Sequence, residues 1–143
     1  MSVIVTDTGF GPDVFVENGG QFVSASDLAL TSATRLGVDL FNDADPGALV
    51  DHFERIALIR IPFPSFADGR GFSLARQLRS LGYTGRLRAS GHLISDQYKH
   101  ARKVGFDEVE IDFDLATRQP EPQWLRAAAP GYLEKFRSSR KAA

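Results

Sequence analysis

Asp68-Gly69-Arg70-Gly71 is the part of the sequence whose residue types and spacing best suit chemistry at a loop-built site. The two glycines allow backbone N–H groups to approach a ligand closely, and a helical pattern begins directly afterwards at Phe72. Free amides and the positive end of the helix dipole favour an anion there. Arg70 carries the fork of donors that pairs with phosphate, sulfate or carboxylate, and Asp68 and Ser73 could orient such a ligand or a water.

An ordinary turn would use the same residues. In that interpretation Asp68 closes the turn by bonding its own backbone, and Arg70 is solvated. The motif by itself leaves both interpretations open. It does not support a dinucleotide site, because the third glycine position of the Gly-x-Gly-x-x-Gly pattern begun by Gly69 and Gly71 is occupied by Leu74.

A second loop, at 88–97, also holds residues suited to chemistry. His92 could serve as acid or base, while Asp96 could hold it or accept a hydrogen bond from Arg88. Asp96 and Gln97 are also favourable residues for a first helical turn, so their presence needs no function. For His92 the simpler interpretation is an exposed loop residue.

Arg88 lies within a predicted strand and therefore requires a partner. It alternates with Leu87 and Ala89, so its side chain faces the opposite side of the sheet from theirs. A charged residue in that position is rarely left unpaired. The candidate partners are Asp68, Asp96 and Asp107.

Strands and helices alternate from residue 36 onward, which is the pattern of a parallel sheet with covering helices. Strands are predicted at 38–41, 56–61, 86–90 and 109–113, and helices after the cap Asp45, at 72–81, and from Ser95 or Asp96 to Val104. Loops that follow parallel strands open on one edge of the sheet, so the two loops described above are expected to lie together there. The expected fold class is α/β, a small parallel sheet of βα repeats flanked by helices, as an open sheet or a partial barrel.

An N-terminal β-hairpin region is expected before this repeat core. Residues 1–35 are predicted to be β-rich, with a hairpin between 14–16 and 21–23, because Asn18-Gly19-Gly20 tolerates positive φ. The repeat core is predicted to span 36–113.

The C-terminal part, 118–143, is predicted to be helical. Pro130-Gly131 breaks it into pieces at 124–129 and 132–137. The basic residues Arg137, Arg140 and Lys141 are interpreted as a solvated end rather than a binding arm. With 143 residues, the whole chain is expected to be one α/β domain.

The composition excludes several classes of site. The chain has no cysteine, which removes disulfides, thiol nucleophiles and cysteine-ligated zinc or iron–sulfur centres. Its histidines, His52, His92 and His100, are scattered, so no metal site is predicted, and no cofactor is predicted either. A formal net charge of −1 gives no basic field for nucleic acid. No signal peptide or membrane-span pattern is present, so a cytoplasmic protein that binds no membrane is expected.

Four ordered blocks of the sequence resemble the bacterial domain-of-unknown-function 934 family. The blocks are the run from Phe66 to Arg79, the run from Gly82 to Gly91, Ser95-Asp96-Gln97, and Gly105-Phe106-Asp107. The resemblance extends back through Asp43-Ala44-Asp45-Pro46, while the N-terminal hairpin region and the Gly131-Tyr132-Leu133 end depart from the usual pattern. Positions that match the family's signature are Asp68, Gly69, Arg70, Gly71, Ser73, Arg76, Arg88, Gly91, Asp96 and Gln97.

The resemblance implies a role in sulfur metabolism. Members of the family are commonly labelled as oxidoreductases of sulfite reduction, since their genes tend to lie beside one for a sulfite or nitrite reductase hemoprotein. The first functional hypothesis is an accessory protein of assimilatory sulfite reduction that docks on, or delivers to, that reductase. The alternative is a small enzyme or sensor that binds an anionic metabolite at Asp68–Gly71. A third possibility is a purely structural interaction module.

Overall fold

The structure, a computed structural model, describes residues 2–41 and 43–129. This part of the chain forms seven strands and the helices that connect or follow them. The strands are β1 (Ser2–Thr6), β2 (Gly9–Gly11), β3 (Phe22–Ser24), β4 (Leu36–Asp39), β5 (Ile56–Phe63), β6 (Arg86–Gly91) and β7 (Glu108–Asp112). The α-helices are α1 (Val14–Glu17), α2 (Arg70–Ser80), α3 (Ser95–Val104), α4 (Phe113–Arg118) and α5 (Glu121–Ala128). Two 3₁₀ helices span Ala25–Leu30 and Pro46–Arg55.

The strands form one open sheet in the order β2-β1-β7-β6-β5-β4-β3. Strands β3 to β7 are parallel and follow the order of the chain, whereas β1 pairs antiparallel with both β7 and β2. The predicted α/β fold with a parallel βα sheet and an N-terminal antiparallel pair is confirmed. Of the two alternatives left by the sequence, the structure is the open sheet.

One face of the sheet carries the main core. Neighbouring strands joined by crossovers of the same hand place their helices on the same side. Burying one large aliphatic or aromatic side chain there contributes about 1.5–3 kcal/mol. The strands contribute Val38, Ile59, Ile61, Phe63, Leu87, Ala89, Val109 and Ile111, and the helices contribute Leu28, Leu49, Leu74, Leu78, Tyr98, Ala101 and Trp124.

The opposite face of the sheet is polar. Paired residues of a parallel sheet share a face, and the register pairs Arg60 with Arg88 and Ser90 with Glu110. In the described part of the chain the short helix α1 and its neighbours lie over this face, where the Phe15 and Phe22 rings pack 5.1 Å apart over Gly37. The sheet therefore has one apolar and one charged side.

Local signals fixed the boundaries of most core elements. Gly105 ends α3 in the left-handed conformation, with φ of 119°, which glycine adopts without strain. Asp45 caps the helix that follows it by accepting a hydrogen bond from the Gly47 amide at 2.9 Å, as its position before Pro46 predicts. That helix is a 3₁₀ rather than an α-helix.

The hairpin predicted between 14–16 and 21–23 is wrong. Asp13 caps residues Val14–Glu17 as a helix by accepting a hydrogen bond from the Val16 amide at 3.2 Å. Strand β3 pairs in parallel with β4 instead of folding back on its predecessor. The N-terminal hairpin is formed by β1 and β2, where Thr6 pairs with Gly9.

Part of the C-terminal prediction can be compared with the structure. The helical piece predicted at 124–129 corresponds to α5. The piece predicted at 132–137, the Gly131-Tyr132-Leu133 end and the basic residues Arg137, Arg140 and Lys141 lie outside the described residues. No described helix combines the length and apolar character needed to cross a membrane.

Candidate functional site

The two loops predicted to share an edge do so. They follow the carboxyl ends of the neighbouring parallel strands β5 and β6. The His92 amide donates a hydrogen bond to the Phe63 carbonyl at 3.0 Å, and the Gln97 side-chain amide donates to the Phe66 carbonyl at 2.7 Å. Gln97 also accepts from the Ile94 amide at 3.1 Å, so it ties the loops together and caps α3 at once.

Asp68 and Arg70 form a closed local pair. Asp68 accepts from the Arg70 amide at 3.1 Å and from the Arg70 guanidinium at 3.1 and 2.9 Å. The Arg70 side chain is 63% exposed, and its hydrogen bond to Asp68 raises its pKa. This is the geometry of the turn interpretation, and an incoming anion would have to compete with Asp68 for Arg70.

Gly71 is required for packing. A Cβ at this position would lie 2.5 Å from the Phe63 ring, whereas a Cβ on Gly69 would meet nothing within 4 Å. Ser73 is exposed on α2, in a groove of about 570 Å³ that also contacts the Asp45 cap. Asp96 is exposed in the first turn of α3.

Arg88 is fully buried, and its partners differ from all three that the sequence suggested. Its guanidinium donates to both oxygens of Asp13 at 2.8 and 3.0 Å, to Glu108 at 2.7 Å and to Glu110 at 2.8 Å. Burial disfavours the charged form, but the carboxylates outweigh it and raise the pKa of Arg88. Asp68, Asp96 and Asp107 were wrong because the partners lie on β7 and, 75 residues away, before α1.

Further ion pairs extend this network across the polar face. Arg60 binds Asp39 at 2.6 and 3.0 Å and Glu110 at 3.2 Å, and the Phe22 ring covers its guanidinium at 3.7 Å. Arg86 binds Glu108. We call this set the sheet-face ion cluster, consisting of Asp13, Asp39, Arg60, Arg86, Arg88, Glu108 and Glu110. Among the described residues no buried side-chain polar atom is left without a hydrogen bond.

A cleft of about 390 Å³ opens where β6 and β7 end, and we call it the edge cleft. His92 is the predicted site residue that lines it. Glu110 lies both in the cleft and in the sheet-face ion cluster, so the two are continuous. The other lining residues are Ser2, Phe66, Ser90, Gly91, Ile94, Ile111, Asp112, Leu115, Arg118 and Gln119.

The edge cleft offers binding groups rather than a catalytic pair. His92 Nδ1 lies 3.3 Å from the Phe63 carbonyl, and in the described part of the chain no hydrogen bond joins its ring to a serine or carboxylate. A nucleophile needs an adjacent base to be activated. The described residues also contain no group of three histidine, aspartate or glutamate side chains arranged to hold a metal ion.

Most of the lining residues were missed by the sequence analysis. Ser90 of β6 is the register partner of Glu110 of β7. Because side chains alternate along a strand, the pattern that places Arg88 on the polar face places Ser90 there too. The sequence pattern therefore held a signal for Ser90. It held none for Arg118 and Gln119, because their place in the cleft depends on how α4 turns after β7.

Comparison with known sequences identifies the family of this chain. The profile described as bacterial protein of unknown function, DUF934, matches residues 37–139. The chain belongs to the DUF934 family. No curated protein and no solved structure matches it significantly. The DUF934 match includes the Asp68–Gly71 loop and the edge-cleft residues from Phe66 onward, and it begins after Asp13 and Phe22, which cover the polar face.

Proposed function

We propose that this DUF934 protein is an accessory protein of assimilatory sulfite reduction that docks on a sulfite reductase hemoprotein through the carboxyl edge of its sheet. The link to sulfur metabolism rests on the resemblance described above, whose members are commonly labelled by the gene neighbourhood of a sulfite or nitrite reductase, and the matching family description itself names no function. The observation that carries the docking role is the edge cleft. It is an open recess lined by polar and apolar side chains, among them His92 and Phe66.

An accessory role fits the chemistry better than electron transfer by this chain. Iron–sulfur clusters are held by cysteine thiolates, and the sequence has none. An electron-carrying role would therefore need a bound flavin or a second protein. Recognition of a partner needs only the surface groups that the edge provides.

An affinity pull-down tests this proposal. Native extract from cells grown on sulfate as sole sulfur source is passed over the wild type, His92→Ala and Phe66→Ala, with Lys103→Ala as the matched control. Lys103 is exposed in the last turn of α3, away from the edge cleft. We expect the wild type and the control to retain the hemoprotein and the two edge variants to retain less. Recovery of no reductase, together with unchanged growth on sulfate after gene deletion, would reject the proposal.

The alternative is a small enzyme or sensor that binds an anionic metabolite at Asp68–Gly71. One observation favours it, since the N-cap of the 11-residue helix α2 is Gly69, which has no capping side chain, and Arg70 lies beside it. A thermal-shift screen with sulfite, sulfate and phosphate tests this function. The alternative expects stabilisation by one anion that Arg70→Ala abolishes without changing the melting temperature of the unliganded protein. No shift with any anion would reject it.

A further inference from the structure

Three phenylalanines stand exposed at the carboxyl edge. Phe41 is 65% exposed, Phe66 56% and Phe113 51%. Each follows a different parallel strand, β4, β5 and β7 respectively. Large apolar side chains that cluster in the open mark interaction sites more often than they mark chance exposure.

The edge cleft connects the first two of these phenylalanines. Phe66 lines the cleft itself. Phe41 lines an adjoining hollow of about 350 Å³ that shares Ser90 and Glu110 with the cleft. Phe113 begins α4, directly after the cleft residue Asp112. Phe41 and Phe66 therefore border one continuous surface, and the exposed Phe113 follows it by one residue in the chain. We call these three residues the phenylalanine rim.

The loops and element ends that follow β4, β5, β6 and β7 at the carboxyl edge are acidic. They carry six aspartates against two arginines, Arg70 and Arg118, which gives a formal charge of −4. Arg70 is already bound to Asp68 and lies close enough to Asp43 for that charge to raise its pKa. The aspartates are Asp43, Asp45, Asp68, Asp96, Asp112 and Asp114.

We propose that the phenylalanine rim docks a protein segment that is both cationic and apolar. The proposal rests on the docking function proposed above and names the chemistry of the surface that is recognised. Aromatic anchors surrounded by charge of one sign require a partner with apolar side chains and charge of the other sign. A nucleic acid or an acidic protein surface would be repelled by the aspartates.

A sulfite reductase meets this requirement on general grounds. An enzyme that takes up an oxyanion gains from cationic side chains around the entrance to its site, because they raise the local concentration of substrate. A carboxylate-rich edge is complementary to such a surface. The rim would then anchor the contact, and the aspartates would orient it and speed the encounter.

The first arm of the test measures the dissociation constant of the full-length protein for purified sulfite reductase hemoprotein. Phe66→Ala and Phe113→Ala are each expected to weaken binding about tenfold or more, as loss of an aromatic anchor does. Leu30→Ala is the matched control, because Leu30 is 84% exposed but precedes β4 at the opposite edge. Asp114→Lys is expected to weaken binding as well, while Asp51→Lys, exposed on the 3₁₀ helix, is not.

The second arm uses amide NMR shifts of the full-length protein with two peptides. One is an amphipathic peptide of lysine, leucine and phenylalanine, and the other is the same peptide with glutamate in place of lysine. The lysine peptide is expected to shift signals of residues 64–69, 91–94 and 112–114, and the glutamate peptide is not. The salt dependence should be steep, because the charges involved are exposed.

The two arms separate the possible failures. A hemoprotein that does not bind the wild type rejects the proposed function, while localised shifts with the lysine peptide alone would keep the inference. A hemoprotein that binds all rim variants equally, or peptide shifts spread over the molecule, overturns the inference. Concentration-dependent shifts of the same signals without peptide would identify a second copy of the chain as the occupant and would also overturn it.

Discussion

The two edges of the parallel sheet use their polar groups in opposite ways. At the amino edge, Arg79 donates to the carbonyls of Gly105, Tyr83 and Gly85 at 2.7–3.1 Å and also binds Asp107. These bonds close the loops before β6 and β7. At the carboxyl edge, phenylalanine rings remain in solvent and the aspartates outnumber the arginines.

Two further arginines repeat the arrangement at the amino edge. Arg55 donates to the carbonyls of Leu28, Thr31 and Ala33, and Arg102 donates to the carbonyl of Phe106 and to Asp7. Charged hydrogen bonds to otherwise unpaired carbonyls stabilise the fold. We therefore expect substitutions at the amino edge to act through stability and those at the carboxyl edge to act through binding.

The largest effect is expected for Arg79→Met. Three loop carbonyls lose the Arg79 donor, and Asp107 keeps the Leu87 amide but loses the guanidinium, so the free energy of unfolding should fall by about 3 kcal/mol. Urea denaturation followed by circular dichroism measures it. Arg76→Met, at an exposed position of the same helix, is the control and should change the value by less than about 0.5 kcal/mol. Equal effects of the two substitutions would show that the hydrogen bonds of Arg79 do not stabilise the amino edge.

Gly71→Ala should destabilise by about 2 kcal/mol, because its Cβ would collide with the Phe63 ring. Gly71 lies where the carboxyl edge of the sheet meets the core. Gly69→Ala, two residues away, should be neutral or slightly stabilising, since its φ of −88° suits alanine and its surroundings are open. Thermal melts of the two variants distinguish a packing requirement from a functional one. Similar losses in both would show that the whole motif is structural.

Asp7→Asn is expected to cost about 0.5 kcal/mol at neutral pH, a small value because both partners are half exposed. Burial raises the pKa of Asp7, but hydrogen bonds from Arg102 and Tyr98 outweigh it, and the pKa lies below its ordinary value of 3.8. A carboxyl with a lowered pKa in the folded state stabilises above its unfolded pKa. The difference between wild type and variant should therefore shrink as the pH falls through the lowered pKa of Asp7. A difference that persists at lower pH would contradict this account.

Arg70→Ala should have the smallest effect, with no measurable change in melting temperature. Its pair with Asp68 is solvated and local, and pairs of this kind contribute little. Differential scanning fluorimetry checks this. A clear loss of stability would show that Arg70 is structural, as the arginines of the amino edge are, and that Asp68 holds the turn through it.

Elements with strong local signals were predicted well. The helix predicted at 72–81 is α2 at Arg70–Ser80, and Gly105 ends α3 as its position after an amphipathic run indicates. The branched run from Ile56 is the buried strand β5. In these segments the hydrophobic periodicity, the capping residue and the helix-ending residue all favour the same element. Tertiary contacts therefore agree with the local preference.

Predictions failed where distant contacts decide. Residues 14–16 are β-branched or aromatic, yet they form a helix because Asp13 caps it and is held by Arg88. The partner of Arg88 could not be read from a sequence without knowing which strand ends meet. The phenylalanine rim did leave a signal, since Phe41, Phe66 and Phe113 each precede an aspartate by one or two residues just after a strand.

The antiparallel pairing of β1 with β7 has a consequence for the order of folding. Strands β3 to β7 meet neighbours in sequence, whereas Val5 pairs with Val109 across nearly the whole described chain. Long-range pairing is entropically costly and tends to form late. We expect Val5→Ala to speed unfolding and leave the folding rate unchanged, and Leu87→Ala in β6 to slow folding; stopped-flow chevrons test both. The β1–β2 hairpin would then join the sheet last, although it precedes the other described strands in the chain, and its release would set how long the native state survives.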